Sequence, residues 1–194
     1  LTVDVFRDWT HYRMTFASKW DEKLGKVTAG VPQGPLEKVG NTRKRGTLVR
    51  FLPDDTIFED VRFNGDQVAR RLQELAYLNR GIKITFTDER VKDPQKRQQV
   101  FHYEGGIIDF VRYLNADKTV LHDDPIYLEG KRDSIICRVA IQYTDQYTES
   151  LFSYANNIPT SEGGSHETGF KAAFTKCFND YARRIGLLKE KDNN

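Results

Sequence analysis

The sequence predicts an α+β chain, and three observations carry that reading. In the first half, apolar and polar residues alternate with the two-residue period of half-buried strands, as in Leu1, Val3 and Val5. Two segments switch to helical spacing: Val68, Leu72, Leu75 and Ala76, and then Ile107, Phe110, Val111 and Leu114. Between the second of these and a long C-terminal helical stretch lies a strict alternation, Ile135, Cys137, Val139, Ile141 and Tyr143. Strands and helices are thus mixed in both halves.

Taken in order, Leu1 to Val5 and Tyr12, Met14 and Phe16 form a hairpin with one buried face, turning near Asp8 to Thr10. Asn41 to Arg45 is a mobile loop, because Arg43, Lys44 and Arg45 repel one another. Gly46 to Leu52 is a strand with Thr47, Val49 and Phe51 on one face, closed by the turn Pro53-Asp54-Asp55. Asp66 is the expected N-cap of the first helix, and Asn79-Arg80-Gly81 stops it. Ile82, Ile84 and Phe86 make a strand, and the charged stretch Val91 to Gln99 with Pro94 reads as an exposed loop. After the helix beyond Gly105-Gly106, the strand at 135–143 pairs with Leu151 to Asn156 through a turn at Asp145. A helix from Gly164 to Ile185 ends the chain, burying Phe170, Phe174, Cys177, Tyr181 and Ile185, with Gly186 as its stop.

Composition excludes several classes. At 194 residues with 38% hydrophobic and 30% charged residues, the chain can form an ordinary core. Its mean hydropathy is −0.64, and its apolar runs are far too short for a membrane span. Two cysteines support neither a disulfide scaffold nor, with four scattered histidines, a zinc site, which favours a reducing, cytoplasmic location. The net charge is +2, and residues 1–104 and 105–194 carry +4 and −2, too even a split to announce a partner. The start at Leu1 without an initiator suggests an excised piece of something longer.

Few motifs carry chemistry. His166-Glu167 begins like a zinc-protease helix, but Phe170 stands where the second histidine belongs. Gly163-Gly164 presents either an anion-binding turn or simply a tight turn into the helix. No Gly-Lys-Ser or Gly-Lys-Thr phosphate loop occurs, and no catalytic residue or metal ligand set is assigned. Cys177, on an apolar stripe, reads as inert core. Thr47 places a hydroxyl on a strand face otherwise built by Val49 and Phe51, either as a good strand former or as a polar group orienting a ligand in an apolar pocket.

Longer blocks go further. Leu72 to Gly81 with Thr87 to Arg90 beyond it, Phe101 to Ile107, and Tyr154 to Ile158 all resemble the B subunits of bacterial DNA gyrase. So does Glu162-Gly163-Gly164-Ser165-His166-Glu167-Thr168-Gly169-Phe170-Lys171-Ala172, with Asn179-Asp180-Tyr181-Ala182-Arg183 after it in register. Together these blocks run in the family's order from Gly46 to Leu188. Over Leu1 to Gly40 the resemblance is weaker: Ala17 to Lys26 looks like an insertion, and Trp9 stands where a turn glycine is common.

The resemblance implies that residues 1–104 are the C-terminal strands and helix of a GHKL-type ATPase domain. It makes residues 105–194 the first part of a transducer domain similar to domain 2 of ribosomal protein S5. The catalytic glutamate, the Mg²⁺-binding asparagine and the ATP lid are then expected before Leu1, and the phosphate-sensing lysine after Asn194, so the chain alone is expected to be inactive. ATP and Mg²⁺ are the implied cofactors of the parent. Thr47 and Val49 match family positions lining the adenine pocket, the threonine acting through a water and a neighbouring aspartate. Lys171 matches a basic position facing the cavity through which DNA passes, against the plainer reading of a solvated helix lysine. The implied partners are DNA, the gyrase A subunit and a second B subunit, with no membrane. The topoisomerase IV B subunit is the close alternative, and a nucleotide- or inhibitor-binding module without turnover is another.

Overall fold

A computed structural model describes residues 1–188. Its contacts divide the chain into two compact units, Leu1–Asn64 and the remainder from Gly65. That division falls ahead of the expected one at Gly105. The reason is packing: Tyr77 stacks with both Tyr103 and Phe110, so the segments before and after Gly105 share one aromatic cluster.

The first unit is a sheet. Strand β1 (Thr2–Arg7) pairs antiparallel with β2 (Thr10–Asp21), and the register sets Val3 opposite Met14 and Val5 opposite Tyr12, as the alternation requires. The two-residue turn is Asp8-Trp9, both left-handed with φ of 51° and 62°. That twist suits a tight hairpin but is strained for a bulky residue such as tryptophan. β3 (Lys26–Pro32) continues the long β2 into a second hairpin over the stretch expected as an insertion, and β4 (Glu37–Asn41) also pairs with β2. β5 (Gly46–Arg50) pairs with β1 and, among the described residues, forms the open edge of the sheet.

The second unit opens with α1 (Gly65–Leu78), which starts at Gly65 and so places Asp66 in its first turn instead of at the cap. It packs on a hairpin of β6 (Lys83–Thr87) and β7 (Gln98–His102). Ala69, Ala76 and Phe101 form the buried core, with Leu72, Ile84, Phe86 and Tyr103 against it. The stretch at Val91 to Gln99 is largely exposed as expected, but only residues 91–93 are loop; a helical turn, α2 (Pro94–Arg97), follows and runs directly into β7. Pro94 sits at the first helical position and the Asp93 carboxylate caps the Gln95 N–H at 3.0 Å.

Helix α3 (Ile107–Leu114) begins after the two glycines as expected. Gly106 has φ +61°, and a Cβ there would meet the Arg80 side chain at 3.2 Å, so glycine is required. The strand at 135–143 is β9 (Ile135–Ile141), but its partner is β8 (Ile126–Arg132), not Leu151 to Asn156. Of that latter segment only β10 (Tyr154–Ala155) is strand, in a small hairpin with β11 (Ile158–Pro159). α4 (Ser165–Arg184) is the last helix of the described chain, and none of its residues is buried. The expected core stripe is not buried: Cys177, Tyr181 and Ile185 are exposed, and Phe170 and Phe174 are half-buried, in a ladder of rings that continues to Phe178 at spacings of 5.4 and 4.8 Å. Among the described residues, no helix is long and apolar enough to cross a membrane.

Candidate functional site

Thr47 and Val49 stand two residues apart on β5, so both project from the same face of the sheet. The register places Thr47 opposite Val5 and Val49 opposite Val3, which in turn face Tyr12 and Met14. The result is a flat apolar wall carrying the Thr47 hydroxyl, which can donate one hydrogen bond and accept others. β5 is exposed along its whole length, and Val49 is 54% exposed. A wall of this kind suits one side of a planar ligand. It is not a closed pocket.

The opposite face holds a cluster that the hydropathy pattern conceals. Asp4 is buried, and its Oδ1 accepts from His11 Nε2 at 2.6 Å and from Arg13 Nε at 2.7 Å. Those bonds, Arg13 first, hold the carboxyl below its ordinary pKa. Because Asp4 falls in the polar phase between Val3 and Val5, it reads as solvent-facing, and only the partners on β2 show otherwise. The cluster pins β1 to β2 in the register that aligns Val3, Val5, Thr47 and Val49.

A separate cavity of about 500 Å³ lies elsewhere in this unit, lined by Phe16, Phe51, Ile57, Phe58, Val61 and Phe63 among others. At its rim Ser18 donates to Asp54, whose carboxylate also accepts from Thr56, and these bonds lower the Asp54 pKa. Neither Thr47 nor Val49 lines it.

Lys171 belongs to the other unit. At the start of α4, Gly163 is left-handed (φ +77°), and the Thr160 hydroxyl meets His166 Nε2 at 3.1 Å. His166 is thus tied to Thr160, and Gly163 supplies the left-handed turn that leads into α4. Lys171 Nζ lies 3.0 Å from Glu149 and 3.3 Å from Glu167, which raises its pKa. Further along the same face are Lys176, Asp180 and Arg183, in a shallow depression of about 660 Å³. Its cations are thus largely matched by carboxylates. Among the described residues, no group of three or more His, Cys, Asp or Glu could hold a metal ion.

Residues 106–194 match the protein family described as DNA gyrase B. The chain is 46% identical over 195 aligned positions, all of it, to the B subunit of DNA topoisomerase 4 from Enterococcus faecalis, covering 27% of that protein. It is 49% identical over 171 positions, 88% of it, to the B subunit of DNA gyrase from Clostridium acetobutylicum, covering 25% of that protein. The chain belongs to the family of DNA gyrase and topoisomerase IV B subunits. Its fold agrees: the crystal structure of the 43K ATPase domain of Thermus thermophilus gyrase B, in complex with an aminocoumarin, superposes with a TM-score of 0.73 at 33% identity. That superposition covers the whole of this chain and 49% of the other. This gyrase-family chain therefore spans about a quarter of the length of these curated relatives. Lys171 and α4 lie inside the segment matched to the gyrase B family, while Thr47 and Val49 lie inside the alignment to the Enterococcus topoisomerase protein.

Proposed function

We propose that this chain is the part of a gyrase-type B subunit in which the nucleotide-binding domain, residues 1–104, meets the transducer, residues 105–194. The observation that carries this is identity of 46–49% to named B subunits across 88–100% of the chain. The start of the family match at Gly106, beside Gly105, supports the boundary. In this reading the parent couples ATP binding and hydrolysis to passage of one DNA duplex through a transient double-strand break in another, with negative supercoiling as the outcome. It works with DNA, an A subunit and a second B subunit. The topoisomerase IV reading, with decatenation as outcome, is favoured by the alignment of those subunits over the entire chain.

The residues have defined roles here. The Thr47 hydroxyl would orient adenine through a water and a carboxylate supplied by another part of the subunit, and Val49 would line the base. The exposed wall on β5 fits one side of a nucleotide base. Neither the ion nor the water-activating base is assigned to this chain, and the chain by itself is expected to hydrolyse no ATP. Lys171 would meet duplex phosphate, a contact independent of sequence. To do so it must exchange Glu149 and Glu167 for phosphate oxygens, so its contribution is modest and salt-dependent.

The test uses the full-length subunit assembled with its A subunit on relaxed plasmid and on linked DNA circles. ATP-dependent negative supercoiling supports the gyrase form, and decatenation without supercoiling selects topoisomerase IV. An assembly that does neither with ATP, or turnover by the chain alone after repurification, overturns the proposal. In that assembly Lys171→Ala should lower DNA-stimulated ATP turnover while leaving basal turnover intact. Unchanged stimulation would return Lys171 to the solvated surface.

A further inference from the structure

Helix α1 is fastened to the β10–β11 hairpin by a closed set of polar contacts spanning some eighty residues of sequence. The Tyr154 hydroxyl donates to Glu74 Oε1 at 2.6 Å. The other oxygen of Glu74 pairs with Arg71, one helical turn away, and Arg71 Nη2 donates to the Asn157 carbonyl at 2.6 Å. Asn157 Nδ2 donates to Asn79 Oδ1 at 3.0 Å, and Asn79 Nδ2 donates back to the Leu75 carbonyl at 2.8 Å. Both oxygens of the carboxylate and both ends of the Asn79 amide are therefore engaged. The hairpin turn is Asn156-Asn157, both left-handed at φ 48° and 67°, a conformation asparagine tolerates. Partial burial of Tyr154 together with the adjacent Glu74 pushes its phenol up, so the hydroxyl stays a donor at neutral pH.

The contacts continue beyond the hairpin. The Ser153 and Thr160 hydroxyls, just before and after it, share a hydrogen bond at 2.6 Å, and the Thr160 N–H donates to the Ser153 carbonyl at 2.9 Å. Thr160 also meets His166 at 3.1 Å, and Ser153 donates to Glu167 at 3.3 Å. Glu167 in turn pairs with Lys171. Since no residue of α4 is buried, packing does little to position this helix. Polar hooks in its first turn do that instead, and they hang from the hairpin that α1 holds.

We infer that Arg71, Glu74, Asn79, Tyr154 and Asn157 form a joint that sets the first turn of α4, and with it Lys171, relative to α1. In the function proposed above α1 belongs to the nucleotide-binding domain, so the joint ties the DNA-facing helix to that domain, and by linkage the reverse. The inference rests on the function proposed above. The five are positioning residues, since they act through their contacts with one another and with the backbone.

The experiment uses the full-length subunit assembled with its A subunit, carrying Tyr154→Phe or Asn157→Gly. The first keeps the ring and removes only the hydroxyl, and the second keeps the left-handed turn and removes only the side-chain amide. Basal ATP turnover should stay within about twofold of the parent, while stimulation by linear duplex DNA falls about threefold or more. Glu74→Gln, which keeps an acceptor for Tyr154 but discharges the pair with Arg71, should fall between. Full DNA stimulation in both variants overturns the inference. Equal loss of basal and stimulated turnover, with or without unfolding, marks a merely structural support and overturns it as well. A parent assembly without any DNA-stimulated turnover refutes the underlying function, an outcome read before any variant is made.

Discussion

Truncating Tyr77 to alanine should be the most damaging single change in the second unit. The side chain is 4% exposed and lies among three other rings, with centroids at 3.6 Å for Tyr103, 5.0 Å for Phe110 and 5.6 Å for Tyr113. A buried aromatic removes roughly 150–250 Å² from water, worth about 4–6 kcal/mol at ~25 cal/mol per Å², before ring-pair energies are added. The alanine retains part of that, and neighbours relax partly into the hole, so the expected loss is about 3–5 kcal/mol. With a urea slope near ~2 kcal/mol per M, the unfolding midpoint should drop by roughly 1.5–2.5 M. Far-UV circular dichroism is the proper probe, because both tryptophans, Trp9 and Trp20, lie in the other unit. Tyr147→Ala is the control, since Tyr147 is fully exposed. A Tyr77→Ala midpoint no lower than that of the control would refute the aromatic core.

Three further outcomes are expected. In the full-length subunit, Thr47→Val should weaken binding of a non-hydrolysable ATP analogue by about 1–3 kcal/mol in calorimetry, the cost of leaving a ligand polar group unsatisfied; unchanged affinity would leave Thr47 a plain strand former. Trp9→Gly should stabilise the first unit by about 1 kcal/mol, since left-handed strain of roughly 1–2 kcal/mol exceeds the added chain entropy of glycine; Trp20 fluorescence during urea unfolding reads it, and a lower midpoint would contradict the strain. Asp88 accepts from the Arg90 guanidinium and N–H, which lowers its pKa to about 2 in the folded chain. A depressed carboxylate contributes stability above its unfolded pKa and loses it as pH falls, so the advantage of the parent over Asp88→Asn should be constant above about pH 4.5 and shrink toward pH 2. An advantage that does not change across that range would show that the pair persists in the unfolded chain.

What the sequence reveals depends on whether the deciding contact is local. β1, β2, β6, α1 and α3 were legible because their apolar period survives in the buried face. β8 was not, because Ile126-Tyr127-Leu128 breaks the alternation and Gly130 interrupts the rest of the strand; nor was β7, which opens on two glutamines. The stripe on α4 has the right period for a core helix, yet periodicity reports only that a face is apolar, not that anything covers it. At the site, Thr47 stood out as a lone hydroxyl on an apolar face, and its suggested role came from family resemblance. Asp4 and the α1–hairpin joint escaped notice because their meaning lies in partners on other strands or, for Tyr154 and Glu74, eighty residues away.

The open edge at β5 has a consequence for handling the molecule. An unpaired strand edge offers a row of amides and carbonyls to any other strand, and β5 carries the exposed side chains of Leu48 and Val49, with exposed Phe51 just beyond. With a net charge of only +2, long-range repulsion between copies is weak, and salt weakens it further. The solution lifetime of the isolated chain should therefore shorten with concentration and with ionic strength. Because the adhesive strand is also the one that displays Thr47, copies that associate through it compete with any small molecule for the same wall. Ligand titrations on this chain give true affinities only when extrapolated to low protein concentration.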